Sequence, residues 1–202
     1  MRNDKGFWER FAFLYPTLMK TNDKTFDKVC NEFSKHLNSD MNVLESACGT
    51  GQITFRLAEK VNHWTATDFS SKMVEQTRKR NTRRNVNFSI EDATSLSYDD
   101  NSFDAVVISN ALHIMPHPEK ALQEIHRVLK PNGILFSPTF VFEKNAPKIY
   151  IWIMKKFGFT VYHEWNSKQL AKYIEGFGFR NVKRDVIKAK PLPESILISE
   201  KI

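Results

Sequence analysis

The stretch VLESACGTG, residues Val43–Gly51, decides the fold of this chain. Its apolar opening is typical of a buried strand, and Gly49 and Gly51 allow the backbone to turn sharply into a helix. The helix predicted after the turn has one apolar face, formed by Ile53, Leu57, Ala58 and Val61. A strand, a glycine-containing turn and a helix form half of a βαβ unit. The sequence therefore predicts an α/β fold with a nucleotide-like ligand at the turn.

The turn departs from the dinucleotide fingerprint, which needs a third glycine three residues after the second. This chain has Thr54 there, while Glu45 stands just before the turn, where a carboxylate can hold the ammonium group of an amino-acid-like cofactor. The stretch resembles motif I of the class I S-adenosylmethionine (SAM) dependent methyltransferases, E-x-G-x-G-x-G. By this resemblance Glu45, Ala47, Gly49 and Gly51 bind the cofactor. Ala47 replaces the first glycine of the motif, a change that we expect to cost little space. A tight turn in a non-binding α/β protein stays open as the alternative.

The next two predicted strands end in further candidate residues. Asp68 follows the short run 64–67, at the distance where an acidic residue meets ribose hydroxyls in a βαβ unit. Phe69 and Met73 are placed either to flank an adenine or to pack in the core. By resemblance to the family, Asp92 and Ala93, after the strand 86–90, contact the adenine edge.

The longest stretch of resemblance is Asp100–Leu135. The apolar run 103–108 indicates a strand buried on both faces, with Asn110 at its carboxyl end. Pro118 can begin the next helix, and residues 131–133 end it before a strand at 134–136. This block resembles the fourth strand, its helix and the fifth strand of the SAM fold. It is most similar to the group that includes the UbiE-like quinone methyltransferases.

The resemblance implies a Rossmann-like three-layer sandwich. Its seven-stranded, mostly parallel sheet has the order 3-2-1-4-5-7-6 and an antiparallel last strand. We expect a single domain over residues 1–202. It comprises N-terminal helices that cover the site (1–40), a SAM-binding core (41–140), and substrate-side helices with a final β-pair (141–202). Tyr15, in the covering helices, matches an aromatic residue that related enzymes place near the cofactor.

Charge and cysteine usage narrow the class of protein. Residues 143–190 hold eleven Lys and Arg against four Asp and Glu, an excess equal to the whole chain's net charge of +7. This favours anionic or neutral partners on the substrate side. The separate basic cluster at residues 78–84 is interpreted as a solvated helix end. Two distant cysteines, no secretory signal pattern and no apolar run of membrane-spanning length predict a cytoplasmic protein.

The segment 146–157 predicts a helix that is apolar all round. It either packs between the sheet and the N-terminal helices, or covers an apolar substrate and contacts a membrane surface transiently. Trp152, Tyr162 and Trp165 are the candidate substrate-binding residues in this aromatic region.

Methyl transfer from SAM requires mainly that a nucleophile is aligned and water is excluded. His113, just after Asn110, is the candidate general base, although it could instead contact the cofactor or line the pocket. His117 lies four residues later, but Pro116 and Pro118 exclude the helical geometry of a two-histidine metal site. We expect no metal.

The function predicted from the sequence is methyl transfer from SAM, with S-adenosylhomocysteine as product, to a small, partly apolar, anionic or neutral acceptor. Phenolic, quinol-like and lipid molecules fit that description. The chain lacks the N/D-P-P-Y motif of base amino-methylating enzymes and has no RNA-binding module, so we expect no nucleic-acid partner. We expect a monomer or a homodimer. Three alternatives stay open: an RNA-directed methyltransferase, a non-catalytic SAM-binding sensor or partner subunit, and a nicotinamide dehydrogenase.

Overall fold

A mixed β-sheet forms the centre of the protein in a computed structural model. The structure describes residues 6, 8–9, 12–13, 22–143, 160–189 and 192–202. The described strands are β1 (Asn42–Ser46), β2 (His63–Asp68), β3 (Val86–Ile90), β4 (Phe103–Ile108), β5 (Leu129–Phe136), β6 (Thr139–Phe140), β7 (Phe179–Ile187) and β8 (Glu194–Lys201). The described helices are α1 (Asp23–Ser34), α2 (Thr54–Leu57), α3 (Ser71–Arg80), α4 (Pro118–Val128) and α5 (Ser167–Glu175).

The sheet has the order β3-β2-β1-β4-β5-β8, and both β7 and β6 also pair with β8. Strands β1 to β5 run parallel, whereas β8 is antiparallel to β5, β6 and β7. Apart from β6, which has two residues, the strand order is the predicted 3-2-1-4-5-7-6. The Rossmann-like architecture and its antiparallel final pair are confirmed, and β6 is an addition that the sequence did not predict.

Helices cover both faces of the sheet, because the central strands are apolar on both sides. On one face Leu44 and Val106 belong to a buried cluster with residues of α4 and α5. On the other face Val43 and Val107 belong to a cluster with residues of α1 and α2. Neighbouring residues of one strand thus enter different clusters, as the two-residue period of a strand requires. This gives the predicted three layers.

Strand β5 begins earlier than the sequence predicts. Leu129 was expected in the helix, but α4 ends at Val128, and Leu129 pairs with Phe103 of β4. The register then shifts, so that Ala105 pairs with Ile134. The residues between form an irregular excursion in which Asn132 has a φ of 61°. Residues 131–133 thus lie inside β5 at a register shift and do not form the predicted boundary between helix and strand.

Several predicted elements lie outside the described residues: most of the N-terminal covering helices with Tyr15, and the apolar helix at 146–157 with Trp152. Within the described ranges, no helix combines the length and apolar character needed to cross a membrane. The division into one domain stays a prediction.

Candidate cofactor site

The turn between β1 and α2 brings three residues into the left-handed backbone region. The φ angles are 57° at Ala47, 54° at Gly49 and 79° at Gly51. Glycine adopts this region readily, whereas a residue with a Cβ atom loses roughly 1 kcal/mol or more there. A Cβ atom on Gly51 would also lie 2.7 Å from side-chain atoms of both Phe55 and Thr77. Gly51 is therefore required by conformation and by space, while Ala47 takes little space but carries backbone strain.

Side chains from α3 and the residues after it hold this turn from behind. Thr77 Oγ1 donates to the carbonyl oxygen of Gly49 (2.8 Å), and Arg80 Nη1 donates to the carbonyl oxygen of the next residue (3.2 Å). Arg83 Nη2 donates to the carbonyl oxygen of Phe55 (2.5 Å). Both guanidinium groups lie 5.3 Å from the centre of the Phe55 ring. A solvated helix end is therefore an incomplete account of the basic cluster, because two of its arginines support the turn.

Asp68 connects the end of β2 to the glycine turn. Its Oδ2 accepts a hydrogen bond from Gly49 N (2.9 Å), and its Oδ1 accepts one from Ser70 N (2.9 Å). Burial raises the pKa of the Asp68 carboxyl to about 6, although both backbone N–H groups favour the ionised form. Each carboxylate oxygen has capacity for a second donor, as binding a vicinal diol requires.

Glu45 lies behind the turn and is 2 % exposed. Its Oε2 accepts hydrogen bonds from the Thr54 hydroxyl and from Trp64 Nε1, the latter at 3.0 Å. Burial raises the pKa of this carboxyl to about 7, partly offset by those two donors. Thr54, which stands where a dinucleotide site has its third glycine, thus joins α2 to β1 through its hydrogen bond to Glu45. The predicted contact of Glu45 with a cofactor ammonium group stays a prediction.

A cavity opens at the carboxyl ends of the parallel strands, where open α/β sheets bind ligands. It encloses about 1020 Å³ of empty space, a figure that includes the open solvent at its mouth. Eight residues predicted to bind the cofactor line it: Ala47, Gly49, Asp68, Phe69, Met73, Asp92, Ala93 and Asn110. Glu45 and Gly51 do not line the cavity. They support its wall, Glu45 through its hydrogen bonds with Thr54 and Trp64 and Gly51 through the backbone conformation of the turn.

Asp92 has a fixed orientation at the cavity wall. Its Oδ1 accepts hydrogen bonds from Thr94 N (2.9 Å) and from Thr94 Oγ1 (2.7 Å), which is an Asx turn. The side chain is thereby ordered before any ligand binds. Thr94 also lines the cavity, and it was absent from the sequence-based set.

Asn110 follows β4 with a φ of 50°. Its backbone N–H donates to Pro138 O (2.8 Å), its Oδ1 accepts from Phe140 N (2.8 Å), and its Nδ2 donates to Glu194 Oε1 (3.0 Å). The side-chain amide of Asn110 therefore joins the end of β4 to the β6–β8 pair. The residue itself lines the cavity wall.

The structure places His113 behind the cavity, not among its lining residues. The ring is 3 % exposed, and its Nδ1 is buried without a hydrogen-bond partner. Burial, with a smaller contribution from His163, lowers the pKa of the imidazole to about 4. A neutral ring at pH 7 can accept a proton, but the resulting imidazolium is disfavoured where it is buried. The role of general base stays a prediction.

The described substrate candidates belong to an aromatic group beside this histidine. Trp165 stacks on His163 with ring centres 4.6 Å apart, and its ring lies 4.8 Å from that of Tyr173. Tyr162 N donates to His113 O at 3.0 Å, and the Tyr162 side chain is 43 % exposed. Neither candidate lines the cofactor cavity, so their contact with a substrate stays a prediction.

Lys120 and Glu194 are further polar residues near the site that were not predicted from the sequence. Lys120 in α4 lines the cavity, and Glu194 is a buried carboxylate at the start of β8. A lone acidic residue at the head of the apolar run SILIS was the available signal for Glu194. Lys120 gave none, because exposed lysines are common on helices. Within the described ranges, no group of three or more His, Cys, Asp or Glu is arranged to hold a metal ion.

A parallel α/β sheet, a left-handed turn after its first strand and a buried carboxylate after its second define a nucleoside-binding protein of the Rossmann-like class. Comparisons with known proteins narrow this class. The family model described as a methyltransferase domain matches residues 44–137. A demethylmenaquinone methyltransferase from Staphylococcus haemolyticus is 34% identical over 179 residues, covering 74% of this chain and 75% of that protein.

Two further similarities concern length and fold. A demethylmenaquinone methyltransferase from Staphylococcus epidermidis is 36% identical over 140 residues, covering 61% of this chain and 58% of that protein. The match thus spans little more than half the length of that relative. The solved structure of magnesium protoporphyrin IX methyltransferase from Synechocystis PCC 6803, with bound S-adenosylhomocysteine, superposes with a TM-score of 0.74. It is 16% identical, with 98% of this chain and 94% of that chain covered, and it supports the fold alone.

The chain belongs to the class I SAM-dependent methyltransferases, in the UbiE-like group. SAM is accordingly its cofactor, and the described residues fit this molecule. The glycine turn lets the backbone approach a ligand closely, Asp68 offers two acceptor oxygens to a ribose, and Phe69 and Met73 supply apolar surface for a purine.

Proposed function

We propose that the protein transfers the methyl group of SAM to a small, partly apolar acceptor that carries a phenolic or quinol-like ring. The main observation that supports this proposal is the cavity at the carboxyl ends of the strands. Eight of the residues predicted from the sequence to bind this cofactor line it. The relatives support the acceptor class, since their names specify demethylmenaquinone as the molecule that they methylate.

When bound, SAM supplies a methyl group attached to a positively charged sulfur. The chain holds the two ends of the nucleoside. Asp68 accepts hydrogen bonds from the ribose hydroxyls while Gly49 N and Ser70 N keep its carboxylate in place. Asp92, ordered by Thr94, accepts from the exocyclic amine of the adenine.

The acceptor end of the cavity fits an apolar ring better than a strongly polar molecule. Ala111, Ile114 and Met115 supply apolar wall next to Asn110. The positive charge of residues 143–190 favours an acceptor that carries negative charge, such as a phenolate. Catalysis then depends on proximity and on exclusion of water more than on a strong base. This agrees with the lowered pKa of His113, which makes that ring a weak proton acceptor at pH 7.

Label transfer tests the proposal. Purified protein is incubated with SAM labelled on its methyl group and, in separate reactions, with a water-soluble hydroquinone that has a free ring position and with total RNA. We expect label in the hydroquinone and none in the RNA. Label in RNA alone would support the RNA-directed alternative. Tight binding of SAM without transfer to any small molecule or RNA would support a non-catalytic sensor or partner subunit.

Two variants control this assay. Asp68→Ala and Gly49→Val each should abolish both SAM binding and label transfer, because they remove the ribose acceptor and fill the turn. Calorimetry with NAD tests the alternative of a nicotinamide dehydrogenase. We expect the protein not to bind NAD. A cytoplasmic location belongs to the same proposal, and it is supported by the free, buried thiols of Cys30 and Cys48.

A further inference from the structure

The two-residue strand β6 places two hydrogen-bonding groups opposite each other. Phe140 of β6 pairs with Glu194 of β8 in the antiparallel register. Both residues also contact the side chain of Asn110: Phe140 N donates to its Oδ1 (2.8 Å), and Glu194 Oε1 accepts from its Nδ2 (3.0 Å). Asparagine provides an acceptor and a donor on one planar group, and this site uses both.

These contacts hold a strained backbone. The φ of 50° at Asn110 lies in the left-handed region, which costs roughly 1–2 kcal/mol for most residues other than glycine and less for asparagine. Such a conformation persists where the surroundings determine it more than once. Asn110 and both of its neighbours in the chain, Ser109 and Ala111, line the cofactor cavity. The orientation of this part of the wall therefore depends on the amide contacts.

Glu194 is poorly suited to a purely structural role. It is 2 % exposed, and within the described residues no lysine, arginine or histidine forms an ion pair with it. Burial raises the pKa of its carboxyl to about 7, with the Asn110 amide favouring the ionised form. The Cys30 thiol of α1 also interacts with it electrostatically, and burial raises the pKa of that thiol to about 12, so that it stays uncharged. An apolar residue of similar size would avoid the desolvation cost of this carboxyl.

We infer that Glu194 is a positioning residue of the cofactor site. Its carboxyl and the Phe140 N–H bind the Asn110 amide from two sides, and they thereby set the cavity wall from Ser109 to Ala111 against the cofactor. The inference rests on the proposed function, because its main readout is SAM affinity. An oxygen of Glu194 can accept the Asn110 N–H whether or not the carboxyl is protonated, so shape rather than charge is the property that matters.

A double-mutant cycle separates this role from charge. In Asn110→Asp, the Nδ2 donor is lost and two carboxyl groups face each other at the present 3.0 Å contact. Two charges this close in a buried site are not both carried, so the pair must share one proton or move apart. In Glu194→Gln, the amide oxygen still accepts from Asn110. In the double variant, the amide introduced at position 194 donates to the carboxylate introduced at position 110, which restores the hydrogen bond with its direction reversed. Glu200→Gln, in the same strand but paired with Arg180, is the matched control.

The dissociation constant for SAM is measured by calorimetry at pH 8, well below the unfolding temperature of each variant. We expect Asn110→Asp to weaken binding by about tenfold or more, which corresponds to about 1.4 kcal/mol. Glu194→Gln and the double variant should stay within about threefold of the parent, and so should Glu200→Gln. If Asn110→Asp does not fold, Glu194→Met replaces it, since it removes the acceptor at similar volume and should weaken binding several-fold.

A second readout does not require the cofactor. Hydrogen exchange of the Asn110 N–H, which donates to Pro138 O at 2.8 Å, should accelerate in Asn110→Asp and recover in the double variant. A parent protein that binds no SAM would overturn the proposed function, while the exchange data would still decide on the Asn110 contacts. A parent that binds SAM, together with Asn110→Asp that has a lower unfolding temperature but unchanged affinity, would show that Glu194 only stabilises the fold.

Discussion

Replacing Gly51 by alanine should damage both the stability of the fold and the cofactor site. At a φ of 79°, an L-residue loses roughly 1–2 kcal/mol of conformational energy. The new Cβ would lie 2.7 Å from atoms of both Phe55 and Thr77, an overlap of the kind that costs about 1–3 kcal/mol. The lower entropy of the unfolded chain returns about 0.4–1 kcal/mol. The free energy of unfolding should therefore fall by about 1–4.5 kcal/mol.

Urea unfolding followed by circular dichroism measures this loss, and calorimetry measures SAM affinity. Affinity should fall as well, because Thr77 must move and its hydroxyl holds the carbonyl of Gly49. Gly176→Ala is the matched control: its φ is −63°, and the new Cβ would meet only a backbone oxygen at 3.2 Å. We expect that variant to stay within about 0.5 kcal/mol of the parent. If Gly51→Ala is equally stable and binds SAM normally, the reasoning about the turn is refuted.

Three further outcomes are expected. Ala47→Gly should raise the free energy of unfolding by about 0.5 kcal/mol, since relief of the strain at a φ of 57° exceeds the entropy that glycine gains in the unfolded chain. Urea unfolding measures this change, and the control Ala121→Gly in α4 should instead lower the free energy of unfolding by about 1 kcal/mol. SAM affinity should weaken as the pH falls below about 6, because the Asp68 carboxyl must be ionised to accept hydrogen bonds from both ribose hydroxyls and burial raises its pKa to about 6. Calorimetry from pH 5 to 8 should find this loss of affinity at low pH in the parent and not in Asp68→Asn. Thr54→Val should destabilise the fold by about 1–3 kcal/mol at pH 8 and less at pH 5.5, because it leaves the buried Glu45 carboxylate with Trp64 Nε1 as its remaining side-chain donor. Burial already raises the pKa of Glu45 to about 7, so protonation below that pH removes the poorly solvated charge; equal losses at the two pH values would contradict this account.

The core of the fold followed from local patterns that burial enforces. Strands β1 and β4 could be predicted because their apolar runs are buried on both faces. The acidic residues at the strand ends lie at one edge of the sheet because parallel strands share direction. Asp68 was therefore located from its spacing after the glycine turn, and Asp92 from its match to the family position after the third strand. Both are among the residues that line the cavity.

Contacts between segments distant in sequence could not be predicted in this way. Glu194 reaches Asn110 across a separation of 84 residues, and no local period encodes that approach. Thr54 is close to Glu45 in sequence, but the contact of its hydroxyl with the Glu45 carboxylate joins α2 to β1 across the turn, and no local period encodes that contact either. Leu129 was assigned to a helix because its spacing continues the inner face of α4, and its pairing with Phe103 is a tertiary contact that overrides this local pattern.

The arginines behind the glycine turn have a practical consequence for redesign of the surface. Lys79 forms an ion pair with Glu75 on the solvent side of α3, and Arg84 is exposed, so both positions suit charge changes made for solubility or crystallisation. Arg80 and Arg83 belong to the same basic run, but Arg80 donates to a backbone carbonyl of the cofactor turn and Arg83 to one in the helix that follows it, α2. Mutagenesis guided by net charge alone would treat all four alike, and at two of them it would alter cofactor affinity without touching any residue that lines the cavity.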